Sequence, residues 1–418
     1  MKNLLLILLL TSTAFAGRKV TLGFEIGVAG TGKGVPSPDG FTAQVFNGGI
    51  STGALFRSGT YARLYTCQTG NNTQDLMQSI SCTAPIYART WFRGAVGDDT
   101  PSRWIQIWTF TEGSNSVSMV LTITRRLALM VNGTYTDSTT NPITNADGWY
   151  LCKIYSTWAA SGNTHILKVG SQTMTRTDNF TSPTPSNLTL WFGAIESQST
   201  SMSIHFDDFS LNDATGDLEN NFPDDSAHIV FMPVVVDTSI GDWVAGAGAT
   251  TSLFEALNNL PPTGTTDADA TNIKNVTSSA TSDYDGATLS YNTFGIPSTS
   301  GIRVIVPVTR HGEHAATGTI SGAVKLVSNP PDTAEATFTY GADAGAHGAD
   351  NATGTLKWYT AYGTPVYGRF IEQYINRDAR PVVRVGKRTA TTAQACVDLL
   401  GLVVEYGSMT GRIRRHHF

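Results

Sequence analysis

The densest group of chemistry-bearing side chains is His311-Gly312-Glu313-His314, two imidazoles and a carboxylate within four positions. Zinc-dependent hydrolysis of the helical type sets two histidines four apart on one helix face, with a glutamate between them. Here the spacing is shorter and the glycine favours a turn, so the tetrapeptide is expected in a loop leaving a strand that ends near Thr309. Glycoside hydrolysis needs two carboxylates flanking one bond, yet no Glu-x-Asp-x-x-Glu strand occurs. No full Walker-type phosphate loop is present, and no cysteine has an obvious catalytic partner. The chain therefore reads as a non-enzyme that needs no cofactor. Trp91, Trp104, Trp108 and Trp191 offer flat faces on which pyranose rings stack, provided that one stripe of them faces outwards. Inward-facing core positions are the stronger expectation, because strand aromatics that alternate with polar residues usually line a core.

The elements that would position these groups read as strands almost throughout. Hydrophobic residues make up 40% of the 418 positions and charged residues only 15%, below the roughly 25% of ordinary soluble domains. Surface polarity must then come from Thr, Ser, Asn and 41 glycines, a mixture suited to strands and tight turns. Tyr87 to Arg93, Arg103 to Phe110, Val117 to Ile123, Leu127 to Val131, Trp149 to Tyr155, Leu188 to Phe192 and Ser201 to Leu211 form the first series. Asn132-Gly133 supplies the strongest short hairpin signal. Regular strand spacing without amphipathic helices predicts an all-β sandwich.

Leu22-Gly23-Phe24-Glu25 opens this region and Ile204-His205-Phe206-Asp207-Asp208-Phe209-Ser210-Leu211 closes it. With the aromatic-rich middle and Asp147-Gly148-Trp149-Tyr150-Leu151, this order resembles concanavalin A-like jelly rolls of the laminin-G and MAM type over roughly residues 18 to 213. The resemblance implies that the opening and closing strands lie side by side. Glu25 would then meet Asp207 or Asp208, and a structural Ca²⁺ is the cation that such carboxylates suit. Because consecutive strand residues face opposite ways, only one of the two aspartates is expected to share a face with Glu25, with Asp208 slightly favoured. A hydrogen-bonded acidic edge without metal is the alternative.

Residues 214–227, rich in Asn, Asp and Gly, read as a linker. His228 to Val236, Gly301 to Val308, Ser321 to Leu326, Ala334 to Tyr340, Val382 to Val385 and Leu399 to Tyr406 then predict a second β-sandwich over residues 228–407, ahead of a basic tail from 408 to 418. Leu253 to Asn259 and Thr392 to Leu399 are expected as helical turns. The order Asp207 to Gly216, Val234 to Trp243, Asn258 to Pro262 and Leu402 to Tyr406 resembles a family of phage virion proteins that join a laminin-G-like domain to a second sandwich. That resemblance implies a structural virion component without catalysis, associated with a tail, fibre or capsid, whose partners are its own copies or other virion subunits. A secreted or cell-surface protein that binds host-surface glycans is the competing expectation.

Lys2, the apolar run Leu4 to Leu10 and Ala14-Phe15-Ala16 fit a cleavable secretory signal over residues 1–16, with an apolar first strand or uncleaved anchor as the alternative. After signal removal no membrane span is expected. A net charge of −5 gives no general reason to bind nucleic acid. The four cysteines, at positions 67, 82, 152 and 396, have no metal-ligand spacing, which leaves a Cys67–Cys82 disulfide or buried free thiols as the two expectations.

Overall fold

The computed structural model describes residues 17–24, 43–46, 50–52, 56–59, 62–67, 73–95, 105–122, 126–138, 148–181, 184–195, 202–215, 222–246, 252–257, 272–275, 277, 281–314, 320–330, 332–340, 359–367, 375–391 and 393–408. The first fifteen strands are β1 Arg18–Leu22, β2 Ala43–Phe46, β3 Ile50–Thr52, β4 Ala62–Cys67, β5 Thr73–Ile80, β6 Ile86–Ala95, β7 Ile105–Glu112, β8 Asn115–Leu121, β9 Leu127–Val131, β10 Thr134–Asp137, β11 Tyr150–Ser156, β12 Asn163–Val169, β13 Gln172–Asp178, β14 Leu188–Ile195 and β15 Met202–Asn212. One sheet runs β13-β12-β11-β6-β15-β4-β3, with β1 also on β15, and the other runs β10-β9-β8-β7-β14-β5-β2.

All of these pairings are antiparallel, and the inner faces enclose one core that includes Phe92, Trp108, Phe110, Phe192, Phe206 and Phe209. The core is that of an antiparallel β-sandwich, as the strand periodicity predicts. Between β9 and β10, Asn132 and Gly133 both adopt positive φ, +48° and +79°, the two-residue hairpin geometry that suits the twist of the flanking strands.

The second sandwich comprises β16 His228–Ser239, β17 Trp243–Ala245, β18 Ile273–Asn275, β19 Ser282–Thr288, β20 Ser300–His314, β21 Ser321–Ser328, β22 Ala336–Thr339, β23 Tyr359–Tyr362, β24 Val366–Tyr367, β25 Val382–Lys387 and β26 Gln394–Ser408. Strand β16 serves both layers. Its first half, His228 to Pro233, pairs with β26, whereas Val234 to Ser239 pairs with β19, with register shifts after Val234 and after Asp237. A proline at the changeover donates no ladder hydrogen bond, which suits a point where the strand leaves one partner for another.

Two expectations are corrected here. Thr392 to Leu399 is not a helical turn, since Gln394 onwards belongs to β26. The 311–314 segment is not a loop either: β20 continues to His314, with His311 opposite Val397 and Glu313 opposite Ala395. Each segment is stabilised by the other through a long-range ladder, so tertiary pairing overrides the local turn signal. Leu253–Ala256 does form one short 3₁₀ turn, and Tyr291–Phe294 adds a single helical turn that the sequence reading did not anticipate. The signal-like residues 1–16, Glu25, Trp104 and the tail beyond residue 408 lie outside the described residues.

Candidate functional site

The closing strand of the first sandwich carries the acidic pair, and its local geometry differs from simple alternation. Ile204, Phe206, Phe209 and Leu211 all enter the core, which a regular strand cannot do because 206 and 209 would face opposite ways. A bulge resolves the conflict: the register against β6 shifts between Asp207 and Ser210, and Asp208 takes a φ of +51°. Asp tolerates this left-handed region better than most side chains. Which of the two aspartates shares a face with Glu25 lies outside the described residues. Both carboxylates meet the segment Arg57–Ser58.

Asp207 Oδ2 accepts the backbone N–H groups of Arg57 and Ser58 at 2.8 and 3.1 Å, while its Oδ1 accepts that of Asp208 at 2.8 Å. Asp208 Oδ2 pairs with the Arg57 guanidinium, and Oδ1 accepts both the Ser58 hydroxyl and the Ile229 N–H, the latter at 2.6 Å. All four oxygens thus face N–H or O–H donors, an arrangement that satisfies buried carboxylates without a cation. Among the described residues, no three His, Cys, Asp or Glu side chains come together as a metal site. Glu25 cannot be placed in this arrangement, lying outside the described residues.

Ile229 belongs to the second sandwich, so the acidic pair is part of a seam between the two. The seam extends along the outer face of β15. Arg18 on β1 donates to Asn212 Oδ1 at 2.5 Å, to Ser210 Oγ at 3.2 Å and to Glu405 Oε1 on β26 at 3.1 Å. Ser210 Oγ donates to Glu405 Oε2 at 2.9 Å, and Arg89 reaches the carbonyl of Ala227 at the same distance. Burial alone would push the Glu405 carboxyl up, but the charges of Arg18 and Arg89 and hydrogen bonds from Arg18 and Ser210 bring it down to about 2. Sequence reasoning missed Arg18, Arg57, Arg89 and Glu405, since no local pattern announces a partner hundreds of positions away.

Other described carboxylates are also engaged. Asp75 accepts from Arg63 and from the Tyr65 hydroxyl, Asp398 from Arg310, and Asp213 lies 3.1 Å from the Lys19 amine. His311 stacks on Phe338 with ring centroids 4.3 Å apart, and burial pushes its imidazole down to about 3. It is a neutral core residue. Cys82, Cys152 and Cys396 are buried thiols outside any disulfide, and burial pushes Cys82 up to about 12, with the nearby Asp213 adding to the effect. The side chain of Cys67 lies outside the described residues.

Among the described residues, Trp91, Trp108 and Trp191 do not form one platform. Trp108 is in the core, and Trp191 is half-buried on the other sheet, donating to Thr111 Oγ1 at 3.1 Å. Trp91 sits on the outer face of β6 beneath the Arg57 guanidinium, 3.9 Å from its ring centroid. Near it, just before β11, half-buried Trp149 sets its ring edge-on to His205 with centroids 6.4 Å apart, and His205 lies opposite Arg93 on β6. Burial, then the Arg93 charge, lowers His205 to about 4, leaving a neutral imidazole at pH 7. At the opposite end of the same face, Tyr87, Tyr155 and Phe222 pack together with centroids 5.2 to 6.2 Å apart, so the linker residue Phe222 is pinned to the sheet.

No known family profile and no curated protein matches the chain. Solved structures share its layered β architecture loosely. The metal-free lectin I-B4 of Griffonia simplicifolia is 9% identical, covering 40% of this chain and 92% of its own, at a TM-score of 0.29. The CBM22-1–CBM22-2 tandem of Paenibacillus barcinonensis Xyn10C is 11% identical over 94% of this chain and 99% of its own, at 0.25. A botulinum neurotoxin type C structure, described as dependent on two ganglioside molecules for cell entry, is 8% identical over 92% and 98%, at 0.32. These neighbours are β-sandwich lectin, carbohydrate-binding and ganglioside-dependent proteins; at such scores they assign this chain neither a family nor a ligand.

Proposed function

We propose that the chain is a non-catalytic glycan-binding protein whose two sandwiches act as one unit and whose ligand lies on the outer face of β6 and β11. The supporting observation is the row Trp149, His205 and Arg93, in which a half-buried indole stands beside a neutral imidazole and a guanidinium. A pyranose ring presents an apolar face for the half-buried indole and hydroxyls for the half-buried Arg93 guanidinium, while buried His205 backs the indole. The non-catalytic part of the reading is supported by the engagement of the buried acids: Asp208, Asp75, Asp398 and Glu405 each pair with an arginine.

Glycan-array screening followed by calorimetry tests this. Trp149→Ala should weaken the best glycan roughly ten-fold or more while leaving thermal stability near that of the wild type. Equal affinity in the variant, or no glycan bound at all, would sink the proposal.

A second reading, a phage-type virion subunit that works by self-assembly, is favoured by one specific observation. Val236, Ile240 and Val244 are exposed by 36%, 48% and 44% around β17, the end strand of its sheet. Exposed apolar side chains beside a strand edge suit pairing with another subunit. Light scattering separates the two readings, since a persistent monomer at high concentration is incompatible with this one.

A further inference from the structure

A cavity of about 180 Å³ lies where the second sandwich meets the open edge of the first. On one side are Val20 and Leu22 of β1 and Met77 of β5; on the other are Val306 of β20, Tyr362 at the end of β23, and Pro365. Val20 and Leu22 belong to the core of the first sandwich, and Met77 packs against it. Tyr362 packs both on that core and on a smaller apolar cluster of the second sandwich that includes Phe231 and Val306. The cavity is therefore a half-open extension of the first core, continuous with the interface between the sandwiches and walled on its far side by residues of the second.

Its rim is electrically balanced. The Lys19 amine at the cavity is 3.1 Å from Asp213, and Arg18 is paired with Glu405. A charged ligand would lose hydration without gaining an unmatched partner, whereas a neutral apolar molecule replaces empty space with dispersion contacts. A cavity of ~150 Å³ with apolar walls is known to accept benzene.

We propose that this cavity is a binding site for a small neutral apolar molecule of about one ring, for which toluene and indole are suitable probes. The site is independent of the glycan face, because it lies at β1 and β5, whereas Trp149 precedes β11. Since both sandwiches contribute walls, the bound molecule stabilises their mutual arrangement as well as the first core.

The test is thermal unfolding of the full chain with each probe, together with a xenon-pressurised crystal. Saturating, one-to-one binding should raise the melting temperature by roughly 5–10 °C at a concentration near 100 Kd. Xenon should sit between Leu22, Met77 and Tyr362. Met77→Trp, which fills the space, should abolish both the shift and the xenon density, while Trp149→Ala should keep both. No shift with either probe and no xenon at this position would overturn the proposal, as would an undiminished shift in a folded Met77→Trp variant.

Discussion

Arg18 on the first strand and Glu405 on the last form a buried ion pair across 387 positions, with two guanidinium nitrogens reaching the two carboxylate oxygens. Each is further held by its own sandwich or its partner, Arg18 by Asn212 and Glu405 by Ser210. The pair joins the two sandwiches at a point from which water is excluded.

Removing one member of this pair should be costly. Glu405→Ala leaves the Arg18 guanidinium buried without its counter-charge, for an expected loss of about 3–5 kcal/mol in chemical denaturation. The double variant Arg18→Met with Glu405→Met should recover much of that loss. Equal destabilisation in both would mean that the pair contributes packing rather than charge balance.

The Asp207–Asp208 turn separates a backbone requirement from a charge requirement. Asp208→Asn keeps a side chain that tolerates positive φ but removes the charge facing Arg57, whereas Asp208→Val adds backbone strain at a φ of +51°. Both variants should lower the melting temperature, Val more than Asn. Calcium addition or chelation should leave the wild-type melting temperature unchanged, because donors already meet all four oxygens; a calcium-dependent rise would show instead that a cation displaces them.

Acid should weaken the fold through its buried imidazoles. The folded-state values of His165, His205 and His311 are pushed down by burial to about 4, 4 and 3, below the ordinary 6.5. Stability is therefore full above about pH 6.5, where the unfolded chain also holds them neutral. It falls as pH drops towards 4, because the unfolded state takes up protons first, by at most about 1.4 kcal/mol per pH unit for each histidine. Glu405, lowered to about 2, adds loss only below its ordinary value of 4.5. Denaturation curves at pH 7, 6, 5 and 4 check this, and His165→Gln should flatten the slope.

Phe222 should act as the anchor of the linker. Phe222→Ala removes the ring that packs on Tyr87 and Tyr155 and lies 5.4 Å from the Lys153 amine. Limited proteolysis should then cut near residue 222 faster than in the wild type, with little change in the interior of either sandwich. An unchanged cleavage rate would assign the anchoring to Arg89 and Ala227 instead.

Much of the fold was legible in period-two patterning and turn chemistry. The Asn132-Gly133 hairpin, the strands around Trp108 and Leu151, and the all-β class follow from local preferences that act within a few residues. The extension of β20 through His311 and of β26 back to Gln394 was not legible, because each depends on the other strand across about eighty positions.

By itself, the sequence determined which segments are strands and, along their regular stretches, which side chains alternate, through the fixed geometry of the extended chain. It did not determine what lies over a strand's face. Nothing local marks the polar positions Asp207, Asp208, Ser210 and Asn212 of β15 as covered, yet all four are buried. Only the tertiary structure decided this, because the second sandwich supplies Glu405, Ile229 and the Ala227 carbonyl, and a bulge at Asp208 turns both aspartates towards Arg57. Alternation records polarity, and polar groups are equally stable against water or against matched partners; the choice between them is made by contacts hundreds of residues apart.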